Sequence, residues 1–356
     1  MSERLLVCMS GGVDSTVAAL LLKEAGHEVE GITFWFWSFP GAPDYAKETK
    51  CCSLDNVALT VRELGIAHRT IDASDRFYEI VLRDYVARYR RGETPNPCGR
   101  CNRRLRFGLA LQYAREHGFD RVVTGHHVRI MADQAGVLGL YRGGDKNKDQ
   151  SYFLYGLTSD DLEHLAFPVG ELGKEKVFDI AREQGLHAAS LPESQDLCFA
   201  QAGRTDFLFD PSDLQPGPIF DLAGSRLGEH EGLPLYTIGQ RRGLRVAAAQ
   251  PLYVVEIDRA QNALIVGAET DLYTTSLNAA EATYIAGAPP AGGTRLAAKI
   301  RYRSPAVPAT FHPLPGARFS LQFEEPQRAI TLGQIVALYD GDRLLGGGII
   351  QCQSGP

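Results

Sequence analysis

The stretch that decides the fold is Leu5-Leu6-Val7-Cys8-Met9-Ser10-Gly11-Gly12-Val13-Asp14-Ser15-Thr16-Val17-Ala18-Ala19-Leu20-Leu21-Leu22-Lys23. Leu5 to Cys8 is a short apolar run of the kind that forms a buried strand. Thr16 to Lys23 carries apolar residues at Val17, Leu20 and Leu21, a helical spacing. A strand, a Gly-Gly turn and a helix start aim backbone N–H groups and the positive end of a helix dipole at an anion. Gly11 and Gly12 let the backbone approach a phosphate, and Ser10, Ser15 and Thr16 add hydroxyl donors. No Lys precedes Ser15, so this is not the Walker pattern.

Working outward, the region up to about Leu165 alternates strand-like and helix-like runs. The pattern predicts strands over 27–37, 67–71 and 121–124, and helices over 54–64, 78–89 and 104–117. Such alternation predicts an α/β domain on a parallel sheet with helices on both faces. Open parallel sheets bind ligands at the carboxyl ends of strands, where the Gly11-Gly12 turn and Gly125-His126 both fall. The stretch 38–50, with Pro40, Gly41 and Pro43, predicts a mobile loop. Beyond about Ala200, prolines and glycines break up long helices. Short β-rich runs at 253–257, 263–266, 296–302, 317–323 and 335–339 predict a small barrel or sandwich.

No run approaches the roughly 18–20 apolar residues of a membrane span. The start Met1-Ser2-Glu3-Arg4 lacks a signal-peptide layout, so a cytoplasmic location is expected. Seven cysteines, at 8, 51, 52, 98, 101, 198 and 352, are an odd number in a chain without a secretion signal. That argues against a disulfide scaffold. The net charge of −6 does not mark a nucleic-acid binder. Residues 83–106, however, carry eight Arg against Asp84 and Glu93, a local +6. Such a run either binds phosphates or forms a solvated helix face.

Thr94-Pro95-Asn96-Pro97-Cys98-Gly99-Arg100-Cys101-Asn102 reads as a rigid loop running into a basic helix. A Cys at such a helix start, among arginines, is expected to have a lowered pKa. The Cys-x-x-Cys spacing alone leaves half a zinc site, a redox pair and an iron–sulfur ligand pair open. Ser194-Gln195-Asp196-Leu197-Cys198-Phe199 adds one Cys after a Pro192-Glu193 turn. In the polar loop from Gly143 to Phe153, Lys148 is suited to phosphate, and Asp149 and Gln150 to a base edge or magnesium. Arg241-Arg242 stand between glycines, and Lys299 to Arg303 interleave basic and aromatic residues on a predicted strand. Both suit single-stranded RNA, although surface charge on a β-domain accounts for either alone.

Met9 to Ser15 resembles the SGGxDS loop of the ATP pyrophosphatase (PP-loop) families, which hold the pyrophosphate released when ATP adenylates a substrate. With Thr94 to Asn102, Thr124 to His126, Asn147 to Tyr155, Phe167 to Leu172, Asp196 to Phe199, Leu227 to Gly232, Tyr236 to Gly243, Ile300 to Arg303 and Leu345 to Ile350, nearly the whole chain resembles the tRNA-specific 2-thiouridylases. The resemblance implies a PP-loop α/β domain over 1–200, a small central domain over 201–272 and a C-terminal β-barrel over 273–356. It implies ATP- and Mg²⁺-dependent replacement of O2 by sulfur on the wobble uridine of Lys, Glu and Gln tRNAs. A cysteine desulfurase or sulfur-relay protein would supply the sulfur.

The resemblance also implies residue roles. Cys198 would carry a persulfide, and Cys101 would attack it, leaving a disulfide bond. Cys8, Met9, Ser10, Gly11, Gly12, Val13, Asp14 and Ser15, with Phe34 and Gly125, would bind ATP. Asn96, Pro97 and Cys98 would face the target base. His126, Lys148, Asp149, Gln150, Arg301, Tyr302 and Gln334 would contact tRNA. One position departs from the family: Cys98 stands where many members have a proposed general acid/base Asp. It creates a set of three with Cys101 and Cys198, and so an alternative in which a 4Fe–4S iron–sulfur cluster carries the sulfur. PP-loop amine or amide ligation, and a non-enzymatic RNA-binding role, are the other readings of the same loop.

Overall fold

The computed structural model describes residues 2–36, 53–193, 196–200 and 204–351. The predicted loop 38–50, together with Cys51, Cys52, Ser194, Gln195 and Cys352, lies outside the described residues. Five parallel strands form the first sheet, in the order Ala67–Asp72, Glu28–Trp35, Arg4–Cys8, Arg121–Val123 and Leu165–Ala166. The chain winds outward from Arg4–Cys8 in one direction, then returns to its other side at Arg121–Val123. The order therefore reverses beside the first strand, and a ligand crevice opens there at the carboxyl ends. Leu5, Leu6 and Val7 are buried, as a strand covered on both faces requires.

The helices depart from the predicted bounds. The first runs Val13–Glu24. The second basic segment is helical from Pro97, not from 104, because Asn96 caps it: its side chain accepts from the Cys98 and Gly99 amides at 3.1 and 3.3 Å. Cys98 and Cys101 thus lie on a helix, three residues apart and on neighbouring positions of one face, rather than in a loop. π-helical turns interrupt the two basic helices at Tyr78–Leu82 and Asn102–Arg106. The strand predicted over 296–302 is Thr294–Lys299, so Arg301 and Tyr302 sit in the turn that follows it.

A four-stranded central sheet, in the order Tyr253–Asp258, Ala263–Gly267, Gly217–Asp221 and Arg226–His230, closes over Ile219, Val254, Leu264 and Val266. In the C-terminal part, six antiparallel strands between Tyr273 and Gln351 close into a barrel through pairing of Tyr273–Tyr284 with Arg343–Gln351. A hairpin of the first domain, Val128–Ala132 and Leu138–Arg142, extends the barrel sheet through Leu140 opposite Leu344. Tyr152 and Tyr155 of the first domain are buried against the barrel, and Tyr152 Oη donates to the Ile335 carbonyl at 2.9 Å. Among the described residues no helix is long and apolar enough to cross a membrane.

The seam also explains the basic run. Glu281 has a positive φ of 51° at a register shift of its strand, a bulge that presents its carboxylate to the arginine helices. It pairs with Arg88, with Arg100 at 3.7 Å and with Arg104 at 3.5 Å. Asp84 and Glu93 take Arg88, Asp84 takes Arg100, and Asp210 and Asp213 take Arg90. Much of the local +6 is therefore spent on joining domains.

Burial pushes the Glu281 carboxyl up, but Arg88, Arg100 and Arg104 more than offset it, and it lies below the usual glutamate value of 4.5. Its contribution to stability is complete above that value and is lost as pH falls below it. Glu281→Gln is expected to cost about 1–3 kcal/mol at neutral pH, since it strands part-buried guanidinium groups. Urea midpoints should show the loss near pH 7, and the two proteins should converge in acid.

Candidate active site

At the end of the first strand, Gly11 adopts a φ of 77°, which favours glycine, and a β-carbon there would lie 3.1 Å from Asn56 Cβ and the Val57 nitrogen. The loop is braced from within. Ser10 N donates to Ser15 Oγ at 3.2 Å, and Ser15 Oγ and Thr16 Oγ1 donate to the Gly12 carbonyl at 3.1 and 2.9 Å. Gly12 is the N-cap of the first helix and supplies no side-chain cap, so the helix start is left available to an anion. Met9 and Val13 are buried; the Met9 carbonyl accepts from Thr33 Oγ1 at 2.9 Å, and both residues anchor the loop. Cys8 ends the strand, and burial pushes its thiol up to about 12 despite the nearby Arg106 charge. It is a packing residue beside the loop rather than a thiolate.

Gly125 closes the other side of the crevice. A β-carbon there would lie 2.6 Å from the Asp14 carbonyl carbon and the Ser15 nitrogen. Phe34 is buried near the end of the adjacent strand. Phe34 and Gly125 thus flank the loop from the two strands neighbouring Arg4–Cys8.

An ionic chain, not read from the sequence, runs from the loop. Asp14 Oδ1 accepts from His127 Nε2 at 3.0 Å and from Lys174 Nζ at 2.6 Å. Lys174 also reaches Glu193 at 3.0 Å, and Glu193 takes Lys148 at 2.6 Å. Burial pushes the Asp14 carboxyl up, but the His127 hydrogen bond and Lys174 outweigh it, and the group is held below its ordinary range. His127 therefore carries its proton on Nε2; its Nδ1 is buried without a hydrogen-bond partner among the described residues. One signal for Lys174 was available in the sequence: it stands at a helix start, after Gly173, where a cation opposes the dipole.

Several residues predicted to touch tRNA have internal partners. Asp149 is buried, and its Oδ1 accepts from the Gly143 and Ser151 amides at 3.3 and 3.0 Å, so it shapes the loop. Gln150 Oε1 accepts from the His127 amide at 2.9 Å. His126 bonds Thr124 at 2.7 Å and packs on Phe107; burial, then the Arg106 charge, lowers its pKa to about 3, so it is neutral. Arg301 donates to the Ala329 carbonyl and to Thr331 Oγ1. Gln334 donates to the Thr94 carbonyl at 2.7 Å and ties the barrel to the Asn96-Pro97-Cys98 segment. Tyr302 packs on Phe153 with ring centroids 4.5 Å apart and the ring planes tilted by 40°.

Cys101 is buried and Cys98 and Cys198 are partly exposed; Cys101 and Cys198 border the same apolar cluster. Among the described residues no set of three His, Cys, Asp or Glu side chains is arranged to hold a metal ion.

Gly125→Ala is expected to push the Asp14–Ser15 peptide out of place, to lower the urea midpoint and to weaken ATP binding at least about tenfold, with the circular dichroism spectrum little changed. Calorimetric titration with ATP checks it.

Residues 3–202 match the family described as the tRNA methyl transferase HUP domain. Residues 205–268 match the tRNA methyl transferase PRC-barrel domain, and 274–350 the aminomethyltransferase beta-barrel domain. The chain is 44% identical to the tRNA-specific 2-thiouridylase MnmA of Roseiflexus castenholzii, covering 98% of this chain and 99% of that protein. It is 45% identical to the protein of that name from Moorella thermoacetica, covering 97% and 99%. It is 43% identical to that of Trichormus variabilis, covering 98% and 99%. Coverage at this identity spans the loop, the cysteine helix and the barrel alike, and the chain belongs to the tRNA-specific 2-thiouridylase family.

Proposed function

We propose that this chain replaces O2 of the wobble uridine of tRNA with sulfur, at the cost of ATP, which it takes as its magnesium complex. The observation that carries the reading is the pairing of an adenylation loop with cysteines. The uncapped helix start at Gly12 and the Gly125 wall form an anion cradle, while Cys101 and Cys198 border one apolar cluster and Cys98 lies one helical turn from Cys101.

The chemistry follows in two displacements. Carbonyl O2 of uracil is a poor leaving group. It attacks the α-phosphorus of ATP, the bond to the β-phosphate oxygen breaks, and pyrophosphate leaves into the Met9–Ser15 cradle. Backbone amides and the helix dipole there stabilise the charge that develops. Cys198 enters the cycle as a persulfide loaded by a cysteine desulfurase or relay protein. The Cys101 thiolate attacks the inner sulfur, the S–S bond breaks, and hydrosulfide is released as a Cys101–Cys198 disulfide forms. Hydrosulfide adds at C2 of the adenylated uracil, and the C2–O bond breaks as AMP departs. A thiol reductant supplies the two electrons that reset the disulfide.

The target base is flipped out of the anticodon loop to reach these groups. Asn96, Pro97 and Cys98 face it, and Tyr302 and the Arg241-Arg242 turn contact the RNA around it. Substrates are the Lys, Glu and Gln tRNAs of the cytoplasm. Cys98, in place of an Asp, donates no carboxylate to this scheme; it needs only Cys101 and Cys198.

Deleting the gene is expected to remove 2-thiouridine from total tRNA, read by mass spectrometry. Wild type restores it, Cys198→Ser and Cys101→Ser do not, and both variants still release pyrophosphate when tRNA is present. Full thiolation by Cys198→Ser would overturn the reading in favour of ligase-type chemistry. Cys98→Ser retains measurable thiolation if two cysteines suffice; complete loss with bound iron in the wild type favours the cluster route.

A further inference from the structure

The loop Met9–Ser15 lacks the lysine with which Walker loops meet phosphate, yet a triphosphate carries more charge than backbone amides alone balance. The ionic chain beside it contains two lysines held by one carboxylate. Glu193 spans them, Oε1 to Lys174 at 3.0 Å and Oε2 to Lys148 at 2.6 Å, as two oxygens of one phosphate would. Lys174 Nζ also lies 2.6 Å from Asp14 of the loop itself, and the Lys174 side chain is only 10% exposed.

Lys174 balances the Asp14 carboxylate, yet its place in the chain is an unfavourable one for a cation. Lys174 opens the helix Lys174–Glu183, where its charge opposes the dipole, and its cap Gly173 provides no side-chain bond. Two helix starts without side-chain caps, at Gly12 and Gly173, are thus bridged by a single ion pair. The Lys174 amide is turned to a third carboxylate, Asp145 Oδ2, at 3.2 Å. A locus built from two lysines and two helix dipoles, and neutralised only by internal carboxylates, has the form of an anion site holding a stand-in.

We propose that Lys174 and Lys148 bind the β- and γ-phosphates of ATP, and the pyrophosphate they become, and that Glu193 occupies both ammonium groups until the nucleotide displaces it. The proposal rests on the thiolation reading and adds the cations its adenylation step uses. It moves Lys148 from the RNA contacts to the phosphate end of the nucleotide.

Titration calorimetry of the full chain with inorganic pyrophosphate, ATP and AMP tests it. Lys174→Met is expected to weaken pyrophosphate and ATP at least about tenfold while leaving AMP within about twofold. Glu193→Gln, which removes the competitor, is expected to tighten pyrophosphate severalfold; a merely structural carboxylate would weaken it or change nothing. Pyrophosphate affinity within twofold of wild type in Lys174→Met, or unimproved in Glu193→Gln, overturns the proposal. These results leave the thiolation reading standing so long as wild type makes 2-thiouridine; wild type that releases no pyrophosphate with tRNA sinks that reading instead.

Discussion

The approach of Gly125 to the Asp14–Ser15 peptide is the contact on which the rest of the site depends. It requires Arg4–Cys8 and Arg121–Val123 to be parallel neighbours, with Leu5 opposite Arg121. It places His127 on Asp14, and the neighbouring close approaches follow from it. Gly143 lies on the His127 carbonyl at a distance no side chain tolerates, and Gly144 lies similarly on Glu171. These contacts carry the loop bearing Lys148 and the helix bearing Lys174 to one place. Electrostatics then completes what backbone packing has located, because a part-buried Asp14 stays ionised only beside its His127 and Lys174 partners.

The barrel is part of this construction rather than an appendage. The hairpin Val128–Ala132 and Leu138–Arg142 leaves the catalytic sheet immediately after His127 and joins the barrel edge. Gln334 holds the carbonyl of Thr94, two residues before the Asn96 cap, so the cysteine helix is positioned from the barrel side. Glu281 gathers arginines from the same helices. The two domains are thereby tied together by short covalent and ionic links.

The sequence made the parallel sheet and the phosphate loop legible because both are local: a strand, two glycines and a helix start are adjacent in the chain. The resemblance carried the cysteine roles and the layout of three parts. Long-range pairings were not readable. Lys174 finds Asp14 across 160 positions, and Glu281 finds Arg88 across 193. Composition showed eight arginines, yet their carboxylate partners at 210, 213 and 281 lie far along the chain, so the local +6 overstated the free charge. Asp149 looked like a surface group for a base edge or magnesium because polar loops are usually solvated; its burial is decided by the Gly143 and Ser151 amides it accepts from.

In the proposed reaction the Met9–Ser15 loop activates the very oxygen that sulfur replaces. Transfer RNA carrying a heavy-oxygen label at O2 of the wobble uridine tests this directly. After one turnover with ATP and a sulfur donor, the account predicts the label in the phosphate of AMP, in equal amount to the 2-thiouridine formed. Label released to water, with unlabelled AMP, would contradict it.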